Sequence, residues 1–341
     1  MRLRQVVLFA VILLASDCSI ATDKIPISDL PTHAIEVSQI TLPGSRPFHL
    51  KAKVVEATNQ KNDNYTAEIE EYWAAPNKWR RTVKSSDFSQ TIVVNGEKVN
   101  EQLEGNYYPH WLRTIVNAIF ELGAPLRGLD IFKSSDNPMI GGTEFCRRFA
   151  IRAGIPPIGN NVFSTYCFEN DLLKSIGTPG YEAEYKDYKK FAGKQVARKI
   201  REYIEPGTEL EATIYELSEL GAPDESLFAI QQSNDRLETA IASEQTVLGL
   251  SLDAPPLQWP LIQGGKNSGV LSIYVCVDRE GQVREIYGLN SDHPIMTDAA
   301  REQVMKWRFK PASNGGVSVQ LETILTFAYE TRIAPASEGG K

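Results

Sequence analysis

Val317-Ser-Val319-Gln-Leu321-Glu-Thr323-Ile-Leu325-Thr-Phe327-Ala-Tyr329-Glu330 places apolar or β-branched residues at every odd position for fourteen residues. Alternation of period two over that length reads as one long β-strand with two distinct faces. Upstream, Met296, Ala300, Val304 and Trp307 mark one face of a helix that stops before Pro311. Leu271, Ile273, Val275 and Val277 alternate along an earlier strand, Asp278-Arg-Glu-Gly281 turns the chain, and residues 283–289 return. The order is strand, strand, helix, long strand.

The region before this block is also strand-rich. Residues 48–56 and 65–72 alternate, Pro76-Asn77 turns the chain, and Asn95-Gly96 is a strong hairpin signal. Residues 108–122 then change period: Trp111, Leu112, Ile115, Val116, Ile119 and Phe120 form one wide apolar stripe ending at Gly123. Strands follow at 171–176, 181–191, 196–204 and 210–217, and a short helix is expected over 225–232. Residues 22–36 read as a tether and residues 233–254, polar and without period, as a linker. The fold class is therefore α+β. A curved antiparallel half-barrel with one covering helix spans 37–232, a small ββαβ domain spans 255–331, and a tail covers 332–341.

The first residues are an address. Met1-Arg-Leu-Arg is followed by an unbroken apolar run of ten, residues 6–15. Such a helix is about 15 Å long, roughly half the hydrocarbon thickness, so it suits a secretory signal better than a span. Ser19 and Ala21 set cleavage after residue 21 and place the mature chain in the periplasm. An uncleaved signal acting as an inner-membrane anchor, or lipidation at Cys18, are the rival readings. Export makes disulfides accessible. Cys146 and Cys167 fall on two strands flanking the turn at 154–161, which suggests a cross-strand bond, and Cys276 is left as a small core residue.

The 341 residues carry a net charge of −7, with 42% hydrophobic and 23% charged residues. An acidic chain of this kind lacks the basic surface that nucleic acid requires. The acidity is uneven: residues 22–254 carry −8 and the rest of the chain from 255 is neutral.

The C-terminal block resembles the C-terminal domain of the TonB family. The resemblance is carried by Gln258-Trp259-Pro260, Gly269-Val270, Val277-Asp278-Arg-Glu-Gly281-Gln-Val283 and Asp298-Ala-Ala300. It continues through Lys306-Trp307-Arg-Phe309-Lys-Pro311-Ala312 and Gly316-Val317-Ser-Val319 to Phe327. Residues 37–217 resemble LolA-like periplasmic lipoprotein carriers and outer-membrane lipoprotein-sorting proteins, through Pro76-Asn77-Lys-Trp79-Arg, Val94-Asn95-Gly96-Glu-Lys and Tyr185-Lys-Asp-Tyr188.

The first resemblance implies an open edge on the final strand, extended by a peptide from an outer-membrane receptor or another envelope protein. Gln258, Trp259, Pro260, Ser318, Gln320 and Glu322 are the implied contacts, with Leu321, Leu325 and Phe327 in the core. The second implies a lipid acyl chain beneath Trp111, Leu112, Ile115, Ile119 and Phe120, the alternative being that this face packs the core. Transducers of the TonB family carry a membrane helix and a long Pro-rich arm. Here a half-barrel stands in the arm's place, which weighs against energy coupling.

Chemistry is sparse. His33, His49, His110 and His293 lie in different segments without a Ser or Cys motif, and no Cys-x-x-Cys spacing occurs. Lys266 follows glycines without phosphate-loop spacing, and Asn64-Tyr-Thr matches a glycosylation acceptor by chance. The expectation is a non-catalytic binding protein with no cofactor and no metal.

Overall fold

The computed structural model describes residues 30–57, 65–122, 131–134, 139–141, 144–151, 162–178, 181–205, 208–222, 224–230, 237–261, 268–291 and 293–330. The leader at 1–21, the tether up to residue 29, Asn64, the turn at 154–161, residues 233–236, Lys266 and the tail lie outside them. Among the described residues no helix is long and apolar enough to cross a membrane.

Alternation becomes sheet along the first two thirds of the chain. After helix α1 (Leu30–Ser38) come β1 (Phe48–Glu56), β2 (Ala67–Ala75), β3 (Lys78–Ser85), β4 (Ser89–Asn95) and β5 (Lys98–Glu104). Helix α2 (His110–Phe120) follows. The second run is β6 (Ile131–Ser134), β7 (Met139–Gly141), β8 (Glu144–Ile151), β9 (Val162–Glu169), β10 (Leu172–Thr178), β11 (Tyr181–Phe191), β12 (Lys194–Glu205) and β13 (Thr208–Glu219). These strands form one antiparallel sheet in the order β5-β4-β3-β2-β1-β13-β12-β11-β10-β9-β8-β6, with β7 on β8. It does not close on itself among the described residues. Phe48, Leu50, Ala52 and Val54 point inward from β1, and α2 lays its apolar stripe into the same core.

Part of α1 occupies the segment read as a tether, because Leu30 and Ala34 bury against the half-barrel core. The helix expected over 225–232 is a single 3₁₀ turn, Glu225–Phe228, capped by Asp224 and seated on Phe228.

The C-terminal sheet has the expected order and more. The unit contains β16 (Ser268–Val277), β17 (Val283–Ser291), α4 (Pro294–Val304) and β20 (Val317–Glu330), with a short β19 (Ala312–Asn314) on β20 and a short β18 (Arg308–Phe309) outside that sheet. Gly281 has to be glycine: its φ is +85°, and a Cβ there would lie 1.9 Å from the Phe309 carbonyl oxygen. The segment read as linker is also built into this unit. It supplies β14 (Glu238–Ile241), α3 (Glu244–Gly249) and β15 (Ser251–Asp253), with β14 parallel to β20 and β15 antiparallel to β18. Strands of three or four residues are too short for alternation to mark.

Cys146 and Cys167 face each other across β8 and β9 and form a disulfide, 21 residues apart in sequence. Closing a loop of that size lowers the entropy of the unfolded chain by about 3 kcal/mol. The double variant Cys146→Ser/Cys167→Ser is expected to lose about that much stability in a urea titration. An unchanged midpoint would mean that the bond constrains nothing the hairpin does not already fix.

Candidate functional site

The outer flank of β20 is the edge on which the docking expectation rests, and the chain covers much of it. Val317–Val319 pair with β19, and Val319–Glu322 pair with β14 in the register Glu238↔Val319 to Ile241↔Glu322. The next amide, Ala242 N–H, donates to the Glu322 carbonyl. Beyond it, the Glu244 carboxylate at the start of α3 accepts the Thr326 N–H at 3.0 Å. The edge is therefore filled by the chain's own extended segment and then by a side chain, rather than left open. This corrects the expectation of a ready-made free edge.

The odd residues of β20 (Val319, Leu321, Leu325 and Tyr329) pack with α4, as expected for Leu321 and Leu325. The even residues Gln320 and Glu322, which the resemblance assigns to partner contact, are buried instead. They face the half-barrel. Gln320 Oε1 accepts the Tyr108 N–H at 2.9 Å, and Gln320 Nε2 donates back to the Tyr108 carbonyl at 3.3 Å. Glu322 accepts from Arg113 of α2 and from the Tyr274 hydroxyl at 2.5 Å, and lies 3.5 Å from His110 Nδ1. Burial pushes the Glu322 carboxyl up, but the His110 and Arg113 contacts outweigh it and hold the group down at about 2.

A second carboxylate completes this interface. Glu285 of β17 accepts the His110 N–H at 2.6 Å, the Tyr287 hydroxyl at 2.9 Å and the Tyr107 hydroxyl. Burial pushes its carboxyl above the usual range and those donors oppose the shift. At the rim, Asn106 Nδ2 donates to Glu280 at 2.6 Å, and Arg279 donates to the Gly105 carbonyl at 3.0 Å. Cys276 and Tyr287 join the hydrophobic core around α2, so the C-terminal sheet buries both faces.

The remaining implied contacts are dispersed. Ser318 is exposed and pairs with Ser313 of β19. The Gln258 main chain is held at both its N–H and its carbonyl by the Gln303 amide of α4. Trp259, half-buried beside Pro260, packs 5.6 Å from Tyr329 and 6.3 Å from Phe327. The proposed lipid-facing residues Trp111, Leu112, Ile115, Ile119 and Phe120 are all buried in the half-barrel core. Of these, Phe120 also lines a cleft of about 280 Å³ at the end of α2, whose lining includes Glu71 paired with Arg81. An acyl chain would meet that ion pair rather than an apolar floor.

Sequence reasoning missed the Arg113–Glu322 pair because its members lie 209 positions apart, and missed Glu71 because an acidic residue in a strand reads as a solvated face. Glu71 occupies an inward position of β2 between Ile69 and Trp73, and its cross-strand neighbour is Arg81. Glu202 occupies an equivalent position on β12 and has no such neighbour: it is buried, with neither carboxylate oxygen hydrogen-bonded.

Residues 263–331 match the family model of the Gram-negative bacterial TonB protein C-terminal. Among solved structures, a LolA superfamily protein of Nitrosomonas europaea aligns at 9% identity with a TM-score of 0.39, covering 60% of this chain and 98% of that one. An outer membrane lipoprotein-sorting protein domain of Vibrio parahaemolyticus aligns at 10% identity with a TM-score of 0.34, covering 59% and 94%. No curated protein matches the sequence.

Burial pushes the Glu202 carboxyl up to about 8, and the Glu285 charge adds to the shift. A raised carboxyl binds its proton more tightly in the folded state. Its contribution is thus fully present below pH 4.5 and is lost as pH rises towards about 8. Glu202→Gln is expected to match the wild type at pH 4.5 and to exceed it by about 2–4 kcal/mol at pH 9 in urea titrations. Parallel stability curves across that range would show that Glu202 is not held neutral.

Proposed function

We propose that this protein is a non-catalytic binding protein of the cell envelope. In this reading its C-terminal sheet takes an extended segment of a partner along the outer flank of β20, in exchange for its own β14. The observation that carries the reading is the parallel pairing of Glu238–Ile241 with Val319–Glu322. A flank that holds four residues of extended chain presents main-chain donors and acceptors at strand spacing, which is the requirement for strand addition.

The match of residues 263–331 to the TonB C-terminal family supports the envelope setting, as does the leader-like start of the chain. Exchange is energetically reasonable. Each main-chain hydrogen bond contributes only about 0.5–1.5 kcal/mol net, so four residues form a small barrier to replacement. The selectivity of the slot follows from its present occupant. Ala240 and Ala242 pack against the C-terminal core, whereas Ile241 is 65% exposed. A replacing segment would need small residues at the two alternating inward positions and would be free at the position between them.

The alternative, carriage of a lipid acyl chain, has less support, since the face that would line the cavity is packed into core.

The test uses a labelled peptide copying residues 236–243 and the full-length chain carrying Ala240→Pro, which removes one amide from β14 and loosens it. The variant, checked for a native unfolding transition, is expected to bind the peptide at least about tenfold more tightly than the wild type. The wild type's tethered strand competes at an effective concentration of roughly millimolar. Absence of peptide binding by both proteins would overturn the reading.

A further inference from the structure

The second face of the C-terminal sheet carries a transverse row of polar side chains. Cys276 of β16 is the cross-strand neighbour of Glu322 on β20 and of Glu285 on β17. The three therefore stand side by side on one face, carboxylate, thiol, carboxylate, and the first residue of α2, His110, sits over them. Glu285 is committed to the helix N-terminus and to two tyrosines. The imidazole, the Cys276 sulfur and a Glu322 oxygen remain, and these ligand atoms all lie within 4.8 Å of one another.

We propose that His110, Cys276 and Glu322 form a binding site for a zinc-class divalent transition-metal ion that staples the half-barrel to the C-terminal sheet. One nitrogen, one sulfur and one oxygen at mutual ligand spacing suit a borderline-soft ion with tetrahedral preference, the fourth position being left to water. His110 belongs to α2 and the other two ligands to the sheet, so the ion would join the two units directly. Binding releases the thiol proton. The ion is then held by the Cys276 thiolate and the Glu322 carboxylate, two negative charges against its two positive ones.

Arg113 is the competitor. Its guanidinium contacts Glu322 and lies 3.0 Å from His110 Nδ1, on the same two groups that the ion would use. It is poorly satisfied there, since its Nε is buried without a hydrogen-bond partner, and its side chain is 25% exposed and can swing outward. In the metal-free protein this arginine is the cation of the site, and metal loading displaces it.

The experiment titrates Co²⁺ into the chelator-treated full-length protein. One equivalent is expected to produce a near-ultraviolet thiolate-to-cobalt charge-transfer band with visible absorption of tetrahedral type, and Zn²⁺ should abolish both. Cys276→Ser should lose the charge-transfer band, and His110→Ala should weaken binding by at least about tenfold. Arg113→Met should tighten it by about tenfold, because the competing cation is gone. A wild-type protein with no charge-transfer band, or a band that survives in Cys276→Ser, would overturn the site. Should Cys276→Ser unfold, the opposite shifts of His110→Ala and Arg113→Met carry the test, and a shared direction would equally defeat it.

Discussion

Helix α2 begins without a capping side chain of its own, and this fixes how the two halves of the molecule meet. Pro109 stands at its N-cap position and offers a carbonyl to Leu112 and Arg113 but no side-chain acceptor. The only other acceptor for the His110 N–H among the described contacts is the Tyr107 hydroxyl at 3.3 Å, so its short hydrogen bond, 2.6 Å, comes from Glu285 of the C-terminal sheet. A carboxylate at a helix N-terminus is also favoured by the helix dipole. One contact thus satisfies an orphan donor of one unit and a buried charge of the other, so neither surface is well solvated without its partner. The Tyr108–Gln320 exchange and the Arg113–Glu322 pair extend the same logic along β20.

That docking decides which features of the C-terminal sheet remain available. A small sheet with a helix on one face commonly leaves the other face to solvent. Here the second face supplies Cys276 and Tyr287 to the half-barrel core. Its polar side chains are spent internally, which is why Gln320 and Glu322 do not serve as partner contacts although they stand on the strand that resemblance selects. The segment from β14 to the start of α3 blunts the outer flank of β20, as edge strands require if they are not to pair indiscriminately.

The large elements were legible because they are long and strongly periodic. The stripe from Trp111 to Phe120, the alternation of β1 and the fourteen residues of β20 each bury one face, and the sequence displays that face directly. The disulfide was legible because two strand-like segments flanking one turn carry one cysteine each, in a chain expected to be exported. The inward carboxylates were not. Glu71, Glu202 and Glu322 interrupt apolar rows, and an acidic residue in a strand reads as a solvated face. Arg113 lies 209 positions from Glu322, and no local pattern joins them. The segment 237–254 was missed for another reason: the inward residues of its first strand are only Ala240 and, just beyond it, Ala242, too small and too few to display a period.

Strand β20 consequently has three separate uses, set by geometry alone. Its odd side chains hold α4, its even side chains at 320 and 322 hold Tyr108 and α2, and its outward main-chain groups hold β14. Only the last of these is independent of side-chain identity, and it rests on four residues. A segment exchanged at that flank would have to replace Ala240 and Ala242 against the C-terminal core and would leave the half-barrel core in place. Any load or displacement applied through it would pass along a strand already pinned to the half-barrel by Glu322 and Gln320. A flexible linker would dissipate such a displacement, because its length absorbs motion. Here the described part of that segment, residues 237–254, is built into the C-terminal unit, and β20 itself is fixed to both halves of the molecule.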